Sequence, residues 1–234
     1  MKKKLVVLSG SGISAESGID TFRSTNGLWQ TYDVRYVASP EAWAKNPDLV
    51  SAFYNERRKK VLEASPNEAH RNIAALESTY DVVVITQNID DLHERGGSHN
   101  VLHLHGNIRM AKSSGPNAEK KYYPIDGWEL QDTDRCPEGF RLRPHVVWFG
   151  EPVPMIDKAI EIVANAAVFV VIGTSLQVYP AAGLLQFVPK NCVCYAIDPV
   201  ADELSIPPAF EIINENAVAG MAKLYQVLIS STAP

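Results

Sequence analysis

Cysteine is scarce in this chain of 234 residues, which contains only Cys136, Cys192 and Cys194. Three cysteines do not make a disulfide framework, and their number favours a reducing compartment. Long apolar runs are also lacking, because the longest covers residues 166–172 whereas a membrane-spanning helix needs roughly 20. The N-terminal lysines precede only four apolar residues, 5–8, so no secretory signal is predicted. We therefore expect a cytoplasmic protein that has no contact with a membrane.

An excess of positive charge is lacking as well. The chain has 22 lysines and arginines against 27 aspartates and glutamates, a formal net charge of −5, which argues against a dedicated nucleic-acid binder. Hydrophobic residues make up 46% and charged residues 21%, values typical of a globular protein with a sizeable core. The length predicts one or two domains and leaves the oligomeric state open, and a monomer is compatible with it.

Short apolar runs, most of them β-branched, end in polar or glycine-rich turns, and several precede a helical pattern. Continuous runs of this length are typical of strands buried on both faces of a parallel sheet. The sequence therefore predicts an α/β fold with a Rossmann-like doubly wound parallel sheet. In such a sheet, ligands bind beyond the carboxyl ends of the strands. The predicted strands cover residues 5–8, 82–85, 101–104, 168–172 and 193–197, and a closing helix covers 217–229.

Two stretches interrupt this alternation. Residues 31–72 are mostly helical in pattern, with Pro40 and Pro47 as expected breakers, and residues 107–145 are polar and contain four prolines. We predict that these two stretches form a smaller inserted second domain. The main sheet domain is then expected to comprise residues 1–30, 73–106 and 146–234.

A glycine-rich loop follows the first predicted strand, with Gly10, Ser11 and Gly12 in succession and the next glycine at Gly18. Glycines allow positive φ and let backbone N–H groups approach a phosphate closely. The spacing differs from the G-x-G-x-x-G fingerprint of hydride-transfer enzymes. Taken alone, the loop is equally compatible with an ordinary strand-to-helix turn.

Further motifs follow the loop in order: DTFR at 20–23, GLW at 27–29, TQNIDDLH at 86–93, LHLHG at 102–106, VVWFGE at 146–151 and GTSLQVYPAA at 173–182. Together these motifs resemble the sirtuin family of NAD-dependent protein-lysine deacylases, from residue 4 to about residue 225. The resemblance implies NAD as the cofactor and acylated-lysine proteins or peptides as the substrates. The implied products are nicotinamide, O-acyl-ADP-ribose and free lysine, and the sheet domain is the implied NAD-binding domain.

The resemblance also implies roles for individual residues. The glycine loop would hold the pyrophosphate, Asp90 would bind the nicotinamide carboxamide, and Asn88 would order the ribose and a water. Serine at position 11 and aspartate at 198 replace the usual alanine and asparagine, and both are compatible with NAD. The implied cofactor-binding residues are Gly10, Ser11, Gly12, Ala15, Phe22, Arg23, Trp29, Gln87, Asn88, Ile89, Asp90, Gly173, Thr174, Ser175, Asp198 and Ala217.

His105 matches the catalytic base of the family, and Asn88 is the second implied catalytic residue. In sirtuins a base takes a proton from a ribose hydroxyl, and a histidine titrates in the range suited to this work at neutral pH. His103 would share a strand face with His105. We interpret His103 as a hydrogen-bonded supporting residue rather than a metal ligand, because no cluster of Cys, Asp or Glu accompanies it.

The chain departs from many sirtuins in its zinc module. Two C-x-x-C pairs would hold a structural zinc, but residues 112–115 contain no cysteine and residues 136–139 contain only Cys136. We predict that the protein binds no metal. Aromatic packing by Tyr122, Tyr123, Trp128 and Phe140 is the expected substitute.

Tyr54 and Arg57 lie three residues apart on a predicted helix and so share a face. They match the Tyr-x-x-Arg motif of the sirtuin class that removes succinyl, malonyl and glutaryl groups, and a Pro-Asn-Glu-Ala-His segment at 66–70 follows as in that class. An arginine fork and a phenol suit a carboxylate, although a solvated helix face and an arginine stacked on a tyrosine are the plainer alternatives. Val147 and Phe149 match the strand that lines the acyl-lysine tunnel.

Three alternatives to deacylation stay open at this point. A mono-ADP-ribosyltransferase would use the same NAD pocket but would modify a protein. An NAD-dependent oxidoreductase is disfavoured by the glycine spacing and by the lack of an acidic residue on a second strand. A non-catalytic NAD sensor is disfavoured by the presence of His105, Asn88 and Asp90.

Overall fold

A six-stranded parallel sheet forms the centre of the computed structural model, which describes residues 2–21, 34–116 and 118–230. The strand order is β3-β2-β1-β7-β8-β9, and every neighbouring pair is parallel. This arrangement confirms the predicted α/β doubly wound fold. The strands are β1 (Lys4–Ser9), β2 (Asp81–Thr86), β3 (Val101–His103), β7 (Val168–Ile172), β8 (Val193–Ile197) and β9 (Phe210–Ile213).

Helices cover both faces of this sheet. Successive residues of β1 point to opposite faces, so Leu5 and Val7 pack in one core and Val6 and Leu8 in the other. The α-helices are α1 (Gly12–Ala15), α2 (Val34–Val37), α3 (Pro40–Lys45), α4 (Pro47–Glu63), α5 (Glu68–Ala75), α6 (Leu92–Arg95), α7 (Ile156–Val163) and α8 (Ala217–Ser230). Helices α1, α5 and α8 pack in the core with Leu5 and Val7, and α7 and the 3₁₀ turn Ala181–Phe187 pack in the core with Val6 and Leu8.

The two prolines expected to break helices begin them instead. Pro40 starts α3 behind the N-cap Ser39, whose Oγ accepts from the Ala42 amide, and Pro47 starts α4 behind the N-cap Asn46. The first turn of a helix tolerates proline because its N–H has no intrahelical partner there. Residues 34–75 are therefore mostly helical, as the sequence predicts.

A second, antiparallel sheet is built from β4 (Gly106–Ser113), β5 (Tyr122–Pro124) and β6 (Leu142–Val146), in the order β5-β4-β6. Its core differs from the expected one, because Trp128 and Phe140 are 40% and 41% exposed. Smaller side chains fill the interior instead, and Tyr122 stacks on His145 with ring centroids 3.8 Å apart. The interior residues are Ala111, Ile125, Leu130, Cys136 and Leu142, with Tyr123 packed against them.

Helix α4 joins the two parts of the molecule. Phe53 and Tyr54 on α4 pack with Ile108 of β4 and with Trp148, which follows β6. Across residues 2–21, 34–116 and 118–230, no helix is both long and apolar enough to cross a membrane. The domain boundaries predicted from the sequence stay predictions.

Candidate active site

The carboxyl ends of β1, β2 and β7 meet at one edge of the main sheet. There the amide of Gly10 donates to Ile172 O at 3.0 Å and that of Gly12 donates to Gly173 O at 2.8 Å. A Cβ on Gly10 would lie 2.6 Å from Thr174 Cβ, and a Cβ on Gly12 would lie 2.6 Å from Gly173 Cα. Gly173 itself has φ +61°. Only glycine fits at Gly10 and Gly12, because the loop after β1 lies directly against the loop after β7. We call the contact of these two loops, residues 10–12 and 173–174, the cradle.

The cradle lies where the sequence predicts the pyrophosphate of the dinucleotide. Because the amides of Gly10 and Gly12 donate to Ile172 O and Gly173 O, these two glycines permit the close loop contact, and a phosphate would be bound by other backbone N–H groups of the two loops. Gln87, which follows β2, donates from its amide Nε2 to Thr174 Oγ1 at 2.9 Å and so links the cradle to the next predicted motif.

Asn88 and Asp90 form a buried hydrogen-bond network with Ser14, which lies on α1. Ser14 Oγ donates to Asp90 Oδ2 at 3.1 Å and accepts from Asn88 Nδ2 at 3.2 Å, while the Leu92 amide donates to Asp90 Oδ1. Burial raises the pKa of Asp90, although these hydrogen bonds and the charge of His103 oppose the shift. The sequence reasoning missed Ser14, whose one available sign was a small polar residue directly behind the glycine loop.

The imidazole of His105 is held in one tautomer. Its Nδ1 lies 3.0 Å from the carbonyl oxygen of Gln87, which can only accept, so Nδ1 carries the proton and Nε2 carries the lone pair. Burial lowers the pKa of His105, and the bond to Gln87 O opposes that shift. A neutral imidazole with a free lone pair is what a general base requires.

His103 lies two residues before His105 and makes the hydrogen bonds expected of a supporting residue. Its Nδ1 lies 3.0 Å from Asn88 O, and its Nε2 lies 2.7 Å from Glu94 Oε1 on α6. Within the described ranges, no group of three or more His, Cys, Asp or Glu residues is arranged to hold a metal ion.

Tyr54 on α4 packs with Ile108 of β4 and with Trp148, and Arg57 follows it one turn further along the helix. Tyr54 is only 3% exposed, so a solvated helix face is wrong for it, and its hydroxyl accepts from Trp148 Nε1 at 3.1 Å. Burial raises the pKa of Tyr54 to about 12. Burial also lowers the pKa of Arg57, a shift that the charges of Tyr54, Asp90 and Asp20 oppose. The Arg57 guanidinium therefore lies within electrostatic reach of both Tyr54 and the buried Asp90.

Val147 and Phe149 were expected on a strand, but β6 ends at Val146. The Val147 amide donates to His105 O at 2.9 Å, next to the Gly106–Val146 pair, whereas the Phe149 amide donates to Ala38 O at 3.1 Å and a turn follows at residues 149–150. Phe149 is 54% exposed. This segment therefore contacts both the His105 segment and the helical insert.

The remaining predicted cofactor residues lie at or near the same edge of the sheet. Asp198 follows β8 and accepts from the Val200 amide at 3.1 Å, and Ala217 is buried at the start of α8. Glu16, next to Ala15, accepts from the Val218 amide at 2.8 Å and so ties α8 to the glycine loop. Ser175 follows Thr174 in the cradle loop, and Ile89 lies between Asn88 and Asp90. The predicted contacts Phe22, Arg23 and Trp29 lie outside the described residues.

Comparison with known proteins identifies the family. A profile described as the Sir2 family matches residues 10–180. The chain belongs to the Sir2 family, the sirtuins. A relative from Bacteroides thetaiotaomicron, named NAD-dependent protein deacylase, is 47% identical over 231 residues, which cover 97% of this chain and 98% of the relative. A Helicobacter pylori relative of the same name is 48% identical over 229 residues, with coverage of 97% and 98%.

Solved sirtuin structures resemble the whole fold. An ADP-ribose complex of a mutated Sir2 homologue superposes with a TM-score of 0.89 at 38% identity and covers 100% of this chain and 95% of that chain. An NAD complex of a Sir2 homologue gives a TM-score of 0.86 at 39% identity, covering 99% and 91%. The fold class and the sirtuin family predicted from the sequence are both confirmed.

Proposed function

We propose that this sirtuin is an NAD-dependent protein-lysine deacylase that favours acyl groups ending in a carboxylate. The enzyme class and NAD as the cofactor agree with the names of the relatives and with the NAD complex of a related chain. The observation that carries the proposal is the position of Arg57. It lies on α4 beside Tyr54 and within electrostatic reach of Asp90, which accepts a hydrogen bond from Ser14 on α1.

NAD, when bound, supplies an activated bond between its ribose and nicotinamide. The residues that would hold it are the glycine cradle with Thr174 for the phosphates, Asp90 and Asn88 for the nicotinamide and its ribose, and Asp198 for the other ribose. His105 holds its Nε2 lone pair ready to take a proton from a ribose hydroxyl, and the hydrogen bond to Gln87 O fixes the direction of that lone pair.

The acyl group would enter between α4 and residues 147–149, the segment that follows β6. The Tyr54 hydroxyl accepts from Trp148, so its own proton is available for donation, and its pKa of about 12 keeps that proton in place at neutral pH. An arginine beside a phenol can bind a terminal carboxylate by charge-assisted hydrogen bonds. Succinyl and malonyl lysine satisfy this arrangement, whereas an acetyl group offers no charge to Arg57.

Substitution of Arg57 tests the acyl preference. Arg57→Met keeps a long side chain but removes the charge, and we expect it to lower kcat/KM for succinyl-lysine peptides at least about tenfold more than for acetyl-lysine peptides. Mass spectrometry of matched peptides incubated with NAD measures both rates. Arg71→Met is the matched control, because Arg71 is an exposed arginine on the next helix, paired with Glu68.

Each result of this experiment is informative. Equal losses for the two peptides would leave a sirtuin deacylase whose Arg57 is not a specificity residue. Absence of any NAD-dependent acyl loss in the unmodified protein would refute the deacylase itself. A mass increase corresponding to ADP-ribose on a protein substrate would then indicate the transferase alternative.

A further inference from the structure

The imidazole of His103 has an acceptor at each of its two nitrogens. Nδ1 lies 3.0 Å from the carbonyl oxygen of Asn88, and Nε2 lies 2.7 Å from the carboxylate of Glu94. The side chain of His103 is only 12% exposed, so water does not replace either partner readily. The Asn107 amide nitrogen, at 3.5 Å from Nε2, is too distant to compete with the carboxylate.

Counting protons determines the charge state of this ring. A neutral imidazole has one N–H and can satisfy only one acceptor, whereas an imidazolium has two. Because a backbone carbonyl and a carboxylate both need a donor, the contacts require the doubly protonated ring. His103 is therefore a cation paired with the Glu94 anion.

His105, two residues further on, is held in the opposite state. The carbonyls of Gln87 and Asn88 are consecutive, and each accepts from Nδ1 of one of the two histidines. Among the residues that the structure describes, no carboxylate is hydrogen-bonded to the His105 ring, and its Nε2 keeps a lone pair because Nδ1 carries the proton. The loop of Gln87 and Asn88 thus accepts one hydrogen bond from the neutral ring of His105 and one from the cationic ring of His103.

We infer that the Glu94–His103 ion pair is a positioning device, which holds the loop of Asn88 and Asp90 in the geometry that accepts the nicotinamide end of NAD. The inference rests on the proposed function. His103 acts through the Asn88 carbonyl rather than by touching the substrate. Its positive charge also favours the ionised form of the buried Asp90 carboxyl, which accepts from Ser14 and from the Leu92 amide.

The charges around the pair agree with this assignment. Burial alone would lower the pKa of His103, but the hydrogen bond and charge of Glu94 outweigh it and raise the pKa above 6.5. Burial opposes ionisation of Glu94 as well, and the His103 bond overcomes it and lowers the pKa of Glu94. Asp90 on the adjacent loop favours the cation.

Other ionisable groups face the pair from neighbouring elements. His93 on α6 and His145 on β6 are within electrostatic reach of His103, and burial lowers the pKa of both, so they add no positive charge at neutral pH. Asp91 and Arg95 form an ion pair with each other beside the loop, and Arg109 lies 3.8 Å from Asp91. The net field at His103 therefore comes mainly from Glu94 and Asp90.

Nitrogen-15 NMR of the histidine rings tests the charge state directly in the full chain. At pH 7.5 we expect the His103 ring to show two protonated nitrogens, with His103→Gln assigning its signals among the six histidines. A singly protonated ring at that pH would overturn the inference. This readout requires no enzymatic activity, so it remains decisive even if the proposed function fails.

Kinetics of Glu94→Gln test the positioning role. The variant keeps an oxygen acceptor but removes the anion, and we expect kcat/KM for NAD to fall about tenfold with little change in KM for the acyl peptide. The alkaline limb of the pH profile of kcat/KM should shift to lower pH, because the His103 cation then loses its proton more easily. A purely structural role would not move this limb.

The chain contains a matched control pair. Glu77 Oε2 lies 2.6 Å from His99 Nδ1, but that histidine is 87% exposed and precedes β3, at the opposite end from His103. Glu77→Gln should leave the pH profile unchanged. An unchanged profile in Glu94→Gln, or the same shift in both variants, would overturn the positioning role, whereas an inactive unmodified protein would count against the proposed function instead.

Discussion

Arg57 and Arg58 are adjacent on α4, but they differ in burial and in the groups that they contact, and so in the roles that we assign to them. Arg57 is half-buried and faces Tyr54 and Asp90, whereas Arg58 is completely buried. Arg58 donates to Ile108 O at 2.6 Å, Asn55 Oδ1 at 2.7 Å and Trp128 O at 2.8 Å. Its partners are uncharged, and burial lowers its pKa to about 10. Arg58 therefore stabilises the packing of α4 against the small sheet rather than recognising substrate.

Replacing Arg58 should destabilise the fold more than replacing Arg57. Arg58→Met leaves buried backbone carbonyls without donors, so we expect the free energy of unfolding to fall by about 3 kcal/mol. Arg57→Met should cost less than about 1 kcal/mol, since Arg57 is partly solvated. Urea denaturation of both variants measures the difference. Equal losses would mean that the buried bonds of Arg58 contribute little net stability.

At the residue scale, the motifs point to candidate residues but not to the contacts between them, and the catalytic and binding roles of these residues stay predictions. His105, Asn88 and Asp90 were identified by their motifs, and the structure brings Asn88 and Asp90 together through Ser14. Ser14 and Glu94 were missed because their importance depends on residues more than five positions away in sequence. The burial of Arg58 depends on Ile108 and Trp128, which are distant in the chain, so no local pattern in the sequence predicts it.

At the element scale, the small sheet shows what replaces the cysteines of a zinc module. Ser113 Oγ, at the end of β4, lies 3.4 Å from Cys136 Sγ. These two residues belong to the stretches 112–115 and 136–139, where the C-x-x-C pairs of other sirtuins were expected. One thiol and one hydroxyl do not make a tetrahedral thiolate site. Apolar packing around Cys136, by Leu130, Leu142 and their neighbours, fills this position instead.

The zinc content of the purified protein checks this interpretation. We expect well under one zinc per chain by elemental analysis and no change in Tm on addition of a chelator, because packing rather than metal binding stabilises the sheet. Cys136→Ser should behave in the same way with and without the chelator. One zinc per chain, or a chelator-induced fall in Tm, would contradict the prediction.

Sequence patterns located most elements but not all of their ends. Strand β9 was missed because only Phe210 in it is buried, so this edge strand lacks the continuous apolar run of the others. Pro40 and Pro47 were predicted as breakers because residue type alone does not distinguish the first position of a helix from its interior. The end of β6 at Val146 was missed because it depends on the Phe149 amide, which donates to Ala38 O of the helical insert, and on the turn at residues 149–150.

At the scale of the whole molecule, three histidines are folded in their neutral form. Burial is the main reason that the pKa of His70 and of His145 is about 4 and that the pKa of His93 lies well below 6.5. His70 Nε2, His93 Nδ1 and His145 Nδ1 lack a hydrogen-bond partner among the residues that the structure describes. Protonation of any of them would place an uncompensated charge inside the fold.

The stability of the molecule should therefore fall as the pH drops below 6.5. The unfolded chain takes up a proton at each histidine near pH 6.5 while the folded chain does not, so His70 and His145 each cost about 1.4 kcal/mol per pH unit between pH 6.5 and 4. In the range from pH 6.5 to 5 the lowered pKa of His105 adds to this slope, and the raised pKa of Asp90 opposes it. The lowered pKa values of Glu94 and Glu119 act mainly below their ordinary 4.5, and the raised pKa of His103 acts above 6.5.

Urea denaturation at pH 7.5, 6.5 and 5.5 measures this slope. His145→Phe retains an aromatic ring against Tyr122 but cannot titrate, so its free energy of unfolding should fall less steeply with decreasing pH, by about 1.4 kcal/mol per pH unit. His99→Gln is the matched control, because His99 is 87% exposed and should leave the slope unchanged. If His145→Phe keeps the full slope, protonation of His145 does not limit the acid stability of the molecule, and the slope must come from the other histidines with a lowered pKa, His70, His93 and His105.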